Sequence, residues 1–209
     1  MIAEVCARWR GGWGELEVWR FPCEQEVGAL ADALDADERA RAARFVARVH
    51  RDRYVAQHAV MRALLATYAG GAAGELRFGR GARGKPFVVG AGGDVRFNLS
   101  HCDDVALLAV ARGVEVGCDV ERLDARIEPA ELASRVLAVG ERALVSRPEF
   151  FRVWCRKEAC LKAVGVGLVD DLTAIDVRAE VVEVEGASVA VRDLDVGGAH
   201  AAAIAVVTG

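Results

Sequence analysis

The 209-residue sequence predicts an α+β fold made of two similar halves, each a small antiparallel sheet packed with helices. Three observations carry this. Segments with the two-residue period of strands and segments with the 3.6-residue period of helices occur in both halves of the chain. In each half, helical material is followed by a set of short strands. The pattern starts again near Ala111 to Gly113, where the link is too short and too ordered in character to be a flexible tether. This divides the chain into an N-terminal half, residues 1–112, and a C-terminal half, residues 113–209.

Taken in order, "AEVCARW" and "GELEVWRF" alternate apolar and polar residues around Gly11 and Gly12 and predict a β-hairpin. "LDADERARAARFVARVHRDRYVAQHAVMRALLATYAGG" opens on an Asp cap and closes on glycine, and predicts one long helix or two with a bend. "ELRFGRGARGKPFVV" reads as a loop through its glycines and proline, ahead of strands in "VRFNLSH", "VALLAVA" and "VEVGCDVE". A helical region then runs from Pro129 through Leu144, breaks at "SRPEF", and resumes in "FRVWCRKEACLKAVG". "AIDVRAEVVEVEG", "ASVAVRDLDV" and "HAAAIAVVTG" complete an antiparallel set.

Composition excludes several classes of function. Hydrophobic residues make up 53 % of the chain, enough for a sizeable core. Lys and Arg number 27 against 31 Asp and Glu, so no general attraction to nucleic acid is expected and any basic site must be local. No charged leader followed by an apolar run, and no stretch able to cross a bilayer, is present. The expectation is a cytoplasmic monomer without membrane or nucleic-acid partners. The six cysteines form no C-x-x-C pair and read as reduced small hydrophobes, and His50, His58 and His200 stand without a third ligand at metal spacing.

Four places carry possible chemistry. In "GCDVE", Asp119 and Glu121 sit two apart and project from one face of a strand. They are either a solvated strand edge or a pair that repels until a shared cation such as Mg²⁺ joins them. In "WCRKEACLK", Glu158 and Lys162 share a helical stripe, as a surface ion pair or as a third carboxylate with a phosphate-seeking ammonium. Lys85 and Pro86 lie in the glycine-preceded "GKP", and Ser100 with His101 lies at a strand end in "FNLSH". These are donor types that grip phosphate, each weak alone.

Their order makes them specific. "GKPFVV", "FNLSHCDDVALLAV", "GCDVE" and "WCRKEACLK" together resemble the successive signatures of surfactin-type 4′-phosphopantetheinyl transferases, from the helix at Arg41 to the loop after Lys162. The resemblance implies a pseudo-two-fold pair of α+β halves with coenzyme A in the cleft between them. The phosphopantetheine arm would pass to a serine of an acyl, peptidyl or aryl carrier protein, releasing 3′,5′-ADP. It implies Asp119, Glu121 and Glu158 as ligands of magnesium, or of manganese in its place, and Glu158 as the competing candidate for general base. Lys162 would meet the transferred phosphate, with Lys157 either assisting or capping the site electrostatically. Ser100, His101, Lys85, Pro86, Arg41 and Arg53 would hold coenzyme A.

Two positions depart from the pattern: Glu38 stands where some relatives offer lysine, and Cys102 follows the Ser-His pair in place of a hydroxyl residue. Carriers present an acidic helix, so a surface with Arg135, Arg142, Arg147, Val136, Leu137 and Leu144 is expected either to receive one or, through its apolar residues, simply to pack the helix down. The competing reading is a catalytically idle coenzyme A-binding or carrier-docking module, and a third is a different Mg²⁺-diphosphate enzyme. Read as a surface carboxylate, Asp119 is expected to be replaceable by Ala without loss of the fold.

Overall fold

The structure, a computed structural model, describes residues 3–9, 14–90, 92–124, 126–143, 146–167 and 171–209. In the first half, strands β1 (Glu4–Trp9) and β2 (Leu16–Pro22) lead to helices α1 (Ala36–Ala43) and α2 (Arg48–Ala69). Strands β3 (Arg77–Arg80), β4 (Pro86–Val89), β5 (Val95–Cys102) and β6 (Val105–Arg112) follow. The second half runs β7 (Val116–Arg122), α3 (Pro129–Val136), α4 (Arg147–Val164), β8 (Val181–Val184), β9 (Ala187–Asp193) and β10 (His200–Val207). The first sheet has the order β1-β2-β6-β5 and the second β7-β10-β9-β8, with β3-β4 a separate ribbon.

Continuous apolar runs mark strands that are covered on both sides. In "VALLAVA", Ala106, Leu108 and Val110 of β6 pack with Val60, Met61, Leu64 and Leu65 of α2. The alternate residues Leu107, Ala109 and Ala111 pack instead with Cys118 and Val120 of β7 and Ile204 and Val206 of β10. On the far side of the second sheet, Ala203 and Ala205 meet Phe151, Cys155 and Ala159 of α4. The layers are therefore helix, sheet, sheet, helix. The halves repeat one connection: β2 and β7 each lead through a long helix to later strands, the last of which, β6 or β10, returns beside them.

A buried polar device repeats as well. Glu38 caps the Asp35 amide and takes the wholly buried Arg62 of α2 at 2.6 Å. Glu141 caps the Ala138 amide and takes the wholly buried Lys157 of α4 at 2.6 Å. In each half one carboxylate satisfies both an orphan backbone donor and a buried cation, which answers two desolvation costs with one side chain.

The structure sharpens several sequence expectations. The long helical stretch divides, as the bend allowed, between α1 and α2. "ELRFGRGARGKPFVV" is not a loop throughout, because Arg77–Arg80 and Pro86–Val89 pair as an antiparallel hairpin. "SRPEF" opens α4 instead of breaking a helix: Pro148 falls in the first turn, where its missing N–H costs nothing. The helix from Pro129 stops at Val136, and Leu144 lies outside the described residues, as do Gly11 and Gly12 of the first hairpin. Only Val181–Val184 of "AIDVRAEVVEVEG" forms a strand, turned into β9 by Glu185 and Gly186, both at positive φ as a two-residue primed turn requires.

Candidate active site

Strand β7 pairs with β10 so that Asp119 opposes Ala203 and Glu121 opposes Ala201. Alternation sends Cys118 and Val120 into the core between the sheets and leaves Gly117, Asp119 and Glu121 toward α4. Gly117 decides how close α4 can come. A Cβ there would overlap the Ala159 carbonyl and the Ala163 amide, so glycine is required for the helix to rest on the strand. With that approach, Glu158 and Lys162, one turn apart, reach the strand carboxylates. Gly165, at φ 77°, closes the helix in the left-handed region.

At the centre, the Lys162 ammonium lies 2.5 Å from Asp119 Oδ1 and donates to Ser100 Oγ at 3.0 Å, while Ser100 donates to Asp119 Oδ1 at 2.9 Å. Asp119 is 3 % exposed and Ser100 5 %. Asp119 Oδ2 is the one buried side-chain oxygen without a hydrogen-bond partner among the described residues. Burial, with the neighbouring Asp119 charge second, pushes the Glu121 carboxyl up to about 7 and raises that of Glu158. Burial works against the Lys162 charge, yet Asp119 outweighs it and the ammonium holds its proton more firmly than usual.

Three carboxyl groups thus share one ammonium. They feel one another electrostatically but are not drawn to coordination distance: among the described residues, the group of three potential ligands with all donor atoms within 4.8 Å is Cys102, Asp104 and His200 instead. An octahedral magnesium ion holds opposite ligand oxygens about 4 Å apart. The donor chemistry fits a divalent ion, since an unsatisfied buried oxygen electrostatically coupled to two carboxyls of raised proton affinity is relieved by a cation. The carboxylates would close on it by side-chain rotation.

Other expected site residues are distributed around this centre. Ser100 and His101 are neighbours on β5 and take opposite faces. Ser100 turns to Asp119, whereas His101 turns outward, its proton affinity lowered by partial desolvation and then by Lys162, His58 and Arg53. Arg53 lines a cavity of about 330 Å³ with Arg48 and Asp52, and its guanidinium pairs with Glu24 at 2.5 Å. Arg41 is exposed and stacks over Tyr54 at 5.7 Å. Lys85 reaches across the halves, donating to the Val116 and Ala163 carbonyls at 3.0 and 2.7 Å and pairing with Glu115 at 2.6 Å. With Pro86 it lines a cavity of about 340 Å³ that includes Val164 and Gly165. Glu38, where a lysine was looked for, is turned inward onto Arg62 and His58.

Two expectations are corrected. Lys157 does not face the carboxylates: its ammonium is fully buried between Glu141 and the carbonyls of Val136 and Leu172, so it supports the fold behind the site. Val136 and Leu137 are 4 % and 3 % exposed and pack inward, so for these two the carrier-facing reading gives way to the alternative that they pack the helix down. Arg147 pairs with Glu128 at 3.0 Å, and Arg142 with Leu137 and Phe150 lines a groove of about 440 Å³. Sequence reasoning passed over Gly117, although its place two residues before Asp119 on the same strand face was the signal for close helix approach.

Comparison with known proteins adds an independent view. The family model described as the 4′-phosphopantetheinyl transferase superfamily matches residues 115–203, and one described as the N-terminal part of 4′-phosphopantetheinyl transferase matches residues 17–112. The 4′-phosphopantetheinyl transferase HetI of Nostoc sp. is 37 % identical over 166 residues, covering 74 % of this chain and 70 % of HetI. The 4′-phosphopantetheinyl transferase AcpT of Salmonella typhimurium is 41 % identical over 92 residues, 41 % of this chain and 47 % of that protein. A phosphopantetheinyl transferase of Thraustochytrium sp. is 28 % identical over 195 residues, 83 % of this chain and 66 % of that protein.

Proposed function

The chain belongs to the 4′-phosphopantetheinyl transferase superfamily, and from that premise we propose that it is a surfactin-type member. In this reading it moves the 4′-phosphopantetheine arm of coenzyme A to a serine of an acyl, peptidyl or aryl carrier protein. The observation that carries the reading is the knot of Lys162, Asp119 and Ser100, with Asp119 Oδ2 left without a hydrogen-bond partner and the Asp119 charge felt by both Glu121 and Glu158.

Asp119, Glu121 and Glu158 would hold a divalent ion, with magnesium favoured by the all-oxygen donor set. Bound there, the ion would neutralise charge on the coenzyme A pyrophosphate. The chain's own residues do the rest. The carrier serine oxygen bonds to the phosphorus that carries the pantetheine arm, the bond from that phosphorus to the bridging oxygen breaks, and 3′,5′-ADP leaves. Glu158 has a second role that competes with ligation: freed from the ion, it takes the serine proton, its proton affinity raised by burial and by the Asp119 charge. Lys162, partly exposed and fully protonated, offers a point charge to the phosphate in transfer. His101, Arg53 and Arg41 would serve the 3′-phosphate end of coenzyme A from the first half, a reading supported by the electrostatic coupling of His101 to Arg53 and Lys162, and Lys85 and Pro86 would do so from the loop that Lys85 ties to the Ala163 carbonyl near the C-terminus of α4. The groove beside Arg142 suits the acidic face of a carrier.

The test is intact-mass analysis of several apo carriers incubated with the protein, coenzyme A and Mg²⁺. Gain of one phosphopantetheine mass with stoichiometric 3′,5′-ADP is expected, and loss of both in Glu158→Ala. Carriers that bind without gaining mass would sink the reading.

A further inference from the structure

The tightest cluster of metal-binding side chains lies beside the carboxylate site, not in it. Cys102 ends β5 and Asp104 immediately precedes β6, so the turn of the β5–β6 hairpin presents both on one side. His200 opens β10 in the other half. The Cys102 thiol, the Asp104 carboxylate and the His200 ring lie within 4.8 Å of one another. Ligand atoms around tetrahedral zinc sit roughly 3.3–3.8 Å apart; His200 Nε2 and Asp104 Oδ1 already stand 3.3 Å apart, and a small turn of the Cys102 side chain would complete the closure.

The imidazole is oriented for ligation. Its side chain is 8 % exposed, with Nδ1 3.3 Å from the Gly197 carbonyl and Nε2 3.3 Å from Asp104 Oδ1. A proton on Nδ1 serves the carbonyl and leaves the Nε2 lone pair facing a carboxylate oxygen. Two electron-rich atoms at that distance need a cation between them, either a proton or a metal. The backbone carbonyl behind the ring is the usual partner of a metal-bound histidine. Thiolate, imidazole and carboxylate form a donor set for zinc, not for magnesium. Arg122 approaches Asp104 at 3.8 Å, but it is already held by Asp124 at 2.6 Å.

We propose that Cys102, Asp104 and His200 bind one zinc ion that clamps the two halves together at the rim of the carboxylate site. On binding, the Cys102 thiol releases its proton to solvent and a water completes the tetrahedron. The scattered spacing hid this from the sequence: two ligands lie in one hairpin and the third nearly a hundred residues on. The inference stands apart from the transfer reaction and is tested without it.

The metal-free 209-residue chain is titrated with ZnCl₂ by calorimetry and with CoCl₂ by absorbance, and melted with and without zinc. We expect one zinc per chain, a proton released on binding, a thiolate-to-cobalt charge-transfer band with tetrahedral d–d bands, and a higher Tm. Cys102→Ser and His200→Ala should each weaken zinc at least tenfold and remove the Tm rise, their folding being verified by circular dichroism, while Asp119→Asn retains both. No zinc uptake by the wild type would overturn the proposal. So would uptake unchanged in Cys102→Ser and His200→Ala, or uptake lost only in Asp119→Asn, which would place the ion among the carboxylates.

Discussion

Asp119 is buried and ion-paired, which changes what its substitution should do. As a surface carboxylate it would be dispensable for folding. At 3 % exposure, with Lys162 and Ser100 on one oxygen, its removal strands an ammonium. Asp119→Ala should therefore lower stability by about 1–3 kcal/mol, the loss moderated by the partial exposure of Lys162, and reduce transfer at least about a hundredfold. Urea unfolding and carrier modification check the two effects separately. Glu121 gives a pH test with a defined sign. Its carboxyl is raised from an ordinary 4.5 to about 7, so between those values the folded state binds the proton better than the unfolded state and stability falls as pH rises. In chelator-treated protein, Glu121→Gln should gain roughly 1–3 kcal/mol over wild type at about pH 8 and little at about pH 4. Equal differences at both pH values would show that Glu121 carries no such strain. The carboxylates were legible because i, i+2 on a strand and i, i+4 on a helix are local relations. Lys157 was misplaced, although it precedes Lys162 by five residues and so points roughly 140° away around the helix.

At the scale of elements, α4 is held against β7 by the absence of one side chain and against α3 by the presence of another. Gly117→Ala should push α4 from the strand, costing about 1–3 kcal/mol or more and separating Glu158 from Asp119, so that thermal stability and turnover fall together. Lys157→Met should behave differently. Breaking the fully buried pair with Glu141 should cost about 3–5 kcal/mol, whereas the remaining folded enzyme should keep its kcat, and Lys157→Met with Glu141→Leu should recover part of the loss. Denaturation curves alongside single-turnover rates distinguish these outcomes. The inner strands β6 and β10 were visible in the sequence because burial on two faces writes unbroken apolar runs, and the first hairpin because one-sided burial writes alternation. The β3–β4 hairpin was not, because its pairing crosses a glycine-rich turn whose composition matches an open loop equally well.

For the whole molecule, the repeated strand-helix-strand order announced two halves, but periodicity within one segment says nothing of which faces meet. The structure joins them through Leu16, Val18, Leu107, Ala109 and Ala111 from one side and Cys118, Val120, Ile204 and Val206 from the other. Residues 1–112 expressed alone should expose that apolar face and fail to reach a native state, visible as dye binding and a non-cooperative melt, while the full chain unfolds in one transition. The same seam bears on how a large anionic substrate is admitted. Two slabs glued by interlocking aliphatic teeth have no free hinge, so they should not gape and shut like jaws. Entry then falls to individual arms at the margin, Lys162 letting go of its carboxylate foremost among them, and the scattering envelope should keep its dimensions when coenzyme A is added.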